Sequence, residues 1–555
     1  MSILENNLSM RSRQKLYVIL ANISLILLFY GIWEIKWVTL DVGSFLGLTS
    51  KLTNIYWLGL SLITVCSILV FSDKDIRNNW IFIYVLIILG FFIIGLGVFA
   101  EENARISTSF YPPGEVRNVL ENNGINITSP YPLLSYRSWP GIHIMSIYML
   151  YMTNMDLDTL IKYMTLPWLI YFVFITFSIG NSFELSPNRC FLLSFLTISS
   201  FWTSHHYHSP QSFAFLIYLL IFLFTISIND DIKKKYVSVI IFSFMVITHL
   251  LTTVATLLPL FTTLIYKRYK RMKIGKDFIL LCVIFLIWHL YFATTVLKWG
   301  VPDTVGRIVN MESVSTVSAK LHPTSLTELL CKVLQFAYIF IFTIPVGIFL
   351  YNYRKKEYRE RDFSEKTMLN SILFWLSGLV FLTVAAYGSE IFERLYLYSS
   401  VPLACFMIIS LKNYRHSNKI FVCIMVIFII MIIPAHYGNE IQSITYTTEL
   451  KGTDFLSKII QPQSPYYDDY FYQFSSYVWY FNPNLILAQH NSFDSPYDYS
   501  VINQTRYIVN SRHTDDISIF NFGFNPTKEW LDKGNNTLDL LYNNGEFDIH
   551  KNIHV

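Results

Sequence analysis

Charge is scarce in this chain. Only 14% of its 555 residues are Asp, Glu, Lys or Arg, where a soluble domain carries about a quarter. With 53% hydrophobic residues, that shortfall excludes a soluble globular enzyme and makes lipid the main solvent. Cysteine is also sparse: six residues and no CxxC pair. No zinc knuckle or disulfide framework is therefore available, and the six are expected to be core thiols. None lies beyond residue 436, so no disulfide staples the C-terminal region. There is no glycine-rich dinucleotide fingerprint, no phosphate-binding loop and no internal repeat. The net charge of +4 is too small to imply a nucleic-acid partner.

Apolar length is abundant. A membrane helix needs roughly 20 apolar residues. Runs of about that kind fall at 16–33, 55–71, 80–100, 160–180, 190–204, 211–228, 237–249, 250–266, 277–297, 330–351, 368–387, 395–411 and 419–435. The expected fold is thus an all-α polytopic membrane protein of about 13 transmembrane helices. The first run ends in Ile-Trp-Glu-Ile-Lys rather than a small-residue cleavage site, so it reads as a retained helix. Aromatics reach 17%, and such rings suit membrane–water interfaces.

Loop charge orients the spans. With the N-terminus inside, Lys233–Lys235, Lys267–Lys273 and Arg354–Lys356 all fall on the cytoplasmic side, as the positive-inside rule demands. The large external segments are then 34–54, 101–159, 298–329 and the tail 436–555. Sequons at Asn126, Asn503 and Asn535 lie in these segments. Two domains are expected: a transmembrane body, 1–435, with external loop 101–159, and an extracytoplasmic C-terminal α/β domain, 436–555. In the loop, Glu115–Asn122 reads as a short helix ended by Gly124, and Ile142–Met155 as an apolar interfacial segment. In the tail, Leu485–Leu487, Arg506–Val509 and Ile517–Phe520 read as strands. Thr527–Lys533 and Leu538–Leu541 read as helical.

Four clusters on the external side can carry chemistry. Glu101-Glu102 closes the 80–100 helix, where negative charge is disfavoured. Such a carboxylate can accept a proton or hold a divalent cation; alternatively, the pair marks the helix end in water. His205, His206 and His208 lie between two spans and can bind metal or donate to phosphate, or form an interfacial polar turn. His249 interrupts apolar sequence, which marks function or a capped helix end. His289 reads as a satisfied intramembrane histidine. Arg394, at the mouth of an apolar helix, can grip a phosphate or pair with Glu390 or Glu393 as a snorkelling arginine. Arg105 and Arg137 add positive charge to the same face.

This layout resembles the GT-C superfamily of membrane glycosyltransferases. Glu101-Glu102 looks like the acidic motif opening the first large external loop of that group. Segment 131–141, Tyr-Pro-Leu-Leu-Ser-Tyr-Arg-Ser-Trp-Pro-Gly, is similar to its proline-rich stretch, and His208–Ile217 looks like stretches in related polytopic transferases. Glu393-Arg394-Leu-Tyr-Leu-Tyr resembles an external arginine motif that meets the donor phosphate. Tyr542–Ile549 resembles the closing motif of related tails. The acidic pair is Glu-Glu rather than Asp-x-Asp, and no Trp-Trp-Asp-Tyr-Gly motif occurs. The resemblance implies sugar transfer from a polyprenyl-phosphate-linked donor to a glycan, lipid or protein acceptor. In that scheme Glu101 or Glu102 is the base. Arg394, Arg137, His205, His206, His208 and His249 face the donor phosphate. A divalent cation at Glu101/Glu102 is one option. A transporter or flippase is the rival class, but it places charges near the bilayer midplane, and these groups sit at one face.

Overall fold

The computed structural model describes residues 10–35, 40, 44–76, 78–125, 137–203, 206–226, 232–270, 277–294, 325–352, 363–382, 391–439, 443–459, 466–468, 473–482, 490–491, 507–511, 538–544 and 547–552. His205, Glu390, the three sequons, residues 131–136 and the tail segments 485–487, 517–520 and 527–533 lie outside the described residues.

The membrane body begins with α1 (Met10–Ile35), α2 (Asn54–Ser72), α3 (Asn79–Ile93) and the short α4 (Leu96–Ala100). Loop helices α5 (Tyr111–Asn122) and α6 (Gly141–Thr153) follow, then α7 (Leu157–Tyr163), α8 (Thr165–Ser182), α9 (Pro187–Ser199), α10 (Pro210–Ile226) and α11 (Ile232–Val246). The body ends with α12 (Leu250–Tyr269), α13 (Asp277–Ile287), α14 (Leu326–Asn352), α15 (Phe363–Val380), α16 (Ile391–Leu411) and α17 (Ser417–Tyr437). Each of the thirteen apolar runs thus falls on a helix. Among the described residues, seven helices are long and apolar enough to cross a membrane, and three more are shorter apolar helices. The remaining three, α9, α11 and α15, are too short or too polar to qualify.

The interior is built around α9, which is buried from Cys190 to Ser199. It packs on α2, α3, α8, α16 and α17. Its buried Thr197 and Ser199 hydroxyls donate to carbonyls of their own helix, which lets the segment sit inside the bundle. The rim helices α1 and α14 instead expose Ile26, Trp33, Phe340 and Tyr351, as lipid-facing helices do. All six thiols are free, but Cys282 is half-buried and Cys423 exposed, so not all six are core thiols.

Helix alternation is visible in which loops meet. At one end Arg13 pairs with Asp73 and Asp75, Arg189 bonds Ser417 and Asn418, and Lys412 pairs with Glu365. At the other, Ile106 N–H bonds Ser443 and the Tyr446 hydroxyl meets Leu40. These are the two loop sets that strict alternation of the runs requires.

Among its described residues the tail adds α18 (Thr447–Ile459), α19 (Gln473–Phe481) and five strands, β1 (Tyr466–Asp468), β2 (His490–Asn491), β3 (Tyr507–Ser511), β4 (Leu538–Asn543) and β5 (Phe547–Asn552). The strand order is β2-β1-β3-β5-β4. β1 runs parallel to β2 and β3, and β5 is antiparallel to β3 and β4. The expected helix at Leu538–Leu541 is therefore strand β4. Asn544 closes a hairpin by accepting from Phe547 N–H at 2.9 Å, and pairing with β5 overrides the helix preference of leucine. In the external loop, Asn123 at φ 53° rather than Gly124 takes the left-handed position ending α5. Tail residues Leu456, Tyr477, Val509 and Phe547 share one buried cluster with Ala104, Phe110 and Ile161. The tail therefore clamps the 101–122 loop.

Close helix contact depends on Gly378, where an added Cβ lies 2.5 Å from the Pro259 Cα of α12. Gly347 on α14 meets nothing within 4 Å. Gly378→Val is expected to lower stability by about 1–3 kcal/mol through overpacking, and Gly347→Ala to change it little. Thermal unfolding in detergent checks this; equal melting temperatures contradict the packing.

Candidate active site

The site begins with a helix that is interrupted and spliced. In an unbroken helix the Gly97 N–H would donate to the Ile93 carbonyl, four residues back. Here the Tyr437 hydroxyl sits between them, accepting from Gly97 N–H at 3.4 Å and donating to Ile93 O at 2.8 Å. After the break α4 runs five residues and stops at Glu101. Glu101 is buried, at 2% exposure, and Glu102 is exposed. The adjacent carboxylates thus occupy different environments.

Positive groups offset the carboxylate. Arg105 Nη1 donates to Glu101 Oε1 at 3.4 Å, and its guanidinium lies 4.7 Å above the Tyr437 ring. Lys162 Nζ donates to the Glu102 carbonyl at 2.9 Å. Ile106, just after Arg105, holds φ 66°. For a β-branched residue that is a strained conformation, costing on the order of 1–3 kcal/mol. Its N–H bond to Ser443 O at 2.7 Å holds it there. A cavity of about 20 Å³, lined by Gly97, Asn103, Arg105, Lys162 and His206 among others, lies beside this group.

The histidines separate into two roles. His206 is buried with its ring 5.0 Å from His436, a residue that sequence reasoning missed. His436 Nδ1 donates to the Trp202 carbonyl at 2.8 Å. Its one legible signal was a histidine at the end of an apolar run. His208 is also buried, and its Nε2 meets Ser146 Oγ at 3.2 Å. Ser146 donates to the Ile142 carbonyl, so His208 is the donor and fastens α6 to the body. His289 is buried and bonded to the Phe285 carbonyl, in keeping with a satisfied histidine.

A second group surrounds the first turn of α16. Arg394 lies there half-buried, one turn before Tyr398. A cation at a helix N-terminus is unfavourable unless an anion accompanies it, and Glu393 lies in the same first turn. Tyr398 Oη bonds Thr252 Oγ1 at 2.6 Å, and Thr252 Oγ1 bonds His249 Nδ1 at 2.8 Å. His249 also caps α12. Arg137 is placed elsewhere. Its Nε donates to Glu115 at 3.0 Å, and its guanidinium lies 5.4 Å from the Trp479 ring. Burial raises the Glu115 carboxyl, and Arg137 pulls it back down. Arg137 therefore joins the loop to the tail. Between α12 and α15, an apolar groove of about 380 Å³ is lined by Thr262, Ile265, Phe374, Ser377, Val380 and Phe381.

An interrupted helix ending in a carboxylate, a multi-helix apolar body and a tail clamped on the first large loop describe a polytopic helical membrane fold. The crystal structure of ArnT from Cupriavidus metallidurans, bound to undecaprenyl phosphate, has the same fold. It matches 86% of this chain and 98% of its own at TM-score 0.50, with 10% sequence identity. At that identity the likeness is one of fold alone. No protein-family model matches the chain, and no curated protein matches it by sequence.

Burial, with His143 nearby, pushes His208 down from 6.5 to about 3. Between those values the unfolded chain binds the extra proton, so stability falls as pH drops from 6.5 toward 3. His208→Gln keeps the donor to Ser146 and removes the titration. The acid-side loss of stability is expected to be shallower in this variant by about 1.4 kcal/mol per pH unit. Melting temperatures from pH 7 to pH 4 measure it; parallel curves contradict it.

Proposed function

We propose that this protein transfers a sugar from a polyprenyl-phosphate-linked donor to a glycan, lipid or protein acceptor on the extracytoplasmic face of the cell membrane. The N-terminus is then cytoplasmic and the tail extracytoplasmic. One observation carries the reading. A buried carboxylate and a set of cationic and imidazole groups, drawn from separate segments, gather at one end of an apolar bundle. The fold shared with ArnT, whose crystal structure contains undecaprenyl phosphate, supports the lipid carrier.

Glu101 is the general base. It is buried and paired with Arg105, whereas Glu102 is exposed and accepts from Lys162 through its backbone carbonyl. The acceptor hydroxyl passes its proton to Glu101 as its oxygen attacks the anomeric carbon. The bond from that carbon to the phosphate oxygen breaks, and the phosphate leaves with the electron pair. Arg394 and the N–H groups opening α16 receive the growing negative charge, and His249 assists. The groove between α12 and α15 suits an isoprenoid tail. His206 borders the carboxylate side of the cleft, and His208 and Arg137 hold its walls. The residues present do not suit a divalent cation at Glu101/Glu102. Arg105 occupies the carboxylate, Lys162 adds a second positive charge, and no group of three metal-ligating side chains occurs among the described residues. No step is assigned to a metal.

Glu101→Gln is expected to lower turnover by about 10²–10⁴-fold, and Glu102→Gln by far less. Release of free polyprenyl phosphate from a lipid-linked sugar extract of the native membranes reports it. Full activity in Glu101→Gln removes the base assignment.

A further inference from the structure

The hydrogen bonds around His249 fix the direction of every proton in the chain leading to it. The Thr252 N–H donates to His249 Nδ1 at 3.2 Å, so Nδ1 presents a lone pair. Thr252 Oγ1, 2.8 Å from the same nitrogen, must then donate to it. Having given its one proton, Thr252 Oγ1 can only accept from Tyr398 Oη at 2.6 Å. Tyr398 Oη in turn accepts from the Gln211 amide at 3.5 Å. Gln211, Thr252 and Tyr398 are all buried. The Tyr398 backbone is itself anchored, because its carbonyl accepts from Tyr218 Oη at 2.6 Å and Tyr218 accepts from Trp375 Nε1 at 2.8 Å.

A neutral imidazole that accepts at Nδ1 carries its proton on Nε2. We infer that the chain Gln211–Tyr398–Thr252 holds His249 as a neutral Nε2–H donor for an anionic phosphoester oxygen. Thr252 and Tyr398 are positioning residues acting through His249. The inference rests on the transferase reading for the identity of the anion, but not for the tautomer. Its chemistry follows from the arrangement. An imidazole with Nδ1 engaged by two donors cannot serve as an imidazolium, and it presents one hydrogen bond in one direction. Tyr398 also lies one helical turn after Arg394, so one stretch of α16 sets both the guanidinium and the imidazole.

Two measurements test it. Nitrogen-15 solid-state NMR of histidine-labelled protein in nanodiscs, with His249→Gln as the subtraction control, reads the tautomer directly. The expected result at pH 7 is an unprotonated Nδ1 and a protonated Nε2; a protonated Nδ1 overturns the inference. Titration of undecaprenyl phosphate into the same nanodiscs reads the positioning role. Thr252→Val and Tyr398→Phe are expected to weaken binding about fivefold, the effect of one hydrogen bond, while Thr252→Ser binds as wild type does. Unchanged binding in both Thr252→Val and Tyr398→Phe overturns the positioning role even if the tautomer is as expected. Failure of wild type to bind the lipid removes the transferase reading and with it the phosphoester role. The tautomer then stands or falls on the NMR result.

Discussion

The site depends on a single hydroxyl placed inside a helix. Tyr437 bridges the Ile93 carbonyl and the Gly97 N–H, two groups that a continuous helix would pair with each other. In a lipid-surrounded interior an unsatisfied backbone group costs several kcal/mol, so a break at 94–95 needs such a bridge. The bridge also sets the direction of α4 and the place where Glu101 emerges. It brings the end of α17 to the end of α3, and the Tyr437 ring becomes the platform for Arg105. Phenol, carboxylate and guanidinium therefore depend on one another, and the strained Ile106 backbone is held in the same place by the tail.

Local rules are broken at both halves of the site, and in complementary ways. Glu101 puts a negative charge at a helix C-terminus; Arg394 puts a positive charge at a helix N-terminus. Each is unfavourable against the helix dipole. Arg105 and Lys162 compensate the first. Glu393, in the same first turn of α16, accompanies the second. The surrounding bundle is built on α9, buried from Cys190 to Ser199.

Much of this was legible in the sequence, because membrane helices declare themselves by apolar length. Among the described residues each of the thirteen runs meets a helix, and the loop contacts fall in two sets. The carboxylate pair, the histidine segment and Arg394 stood out as ionisable groups at span ends. Partners more than three hundred residues apart were not legible. No local periodicity ties Tyr437 to Gly97 or Ser443 to Ile106. Arg137 read as positive charge on the external face, and its contact with the Trp479 ring of the tail was not legible either. The tail was hardest to read. Leu538–Leu541 carries helix-favouring leucines, and only its hairpin partner at 547–552 makes it a strand. His436 escaped notice because one histidine ending an apolar run looks like any other helix terminus.

The central claim is that this end of the bundle binds a polyprenyl phosphate through Arg394. Native mass spectrometry tests it most directly, on protein released from nanodiscs containing undecaprenyl phosphate. Wild type and Arg394→Ala are compared. The account requires one undecaprenyl phosphate retained on wild type and depleted on the variant. Equal retention on the two proteins would contradict it, and so would wild type that carries no undecaprenyl phosphate while keeping bulk phospholipid.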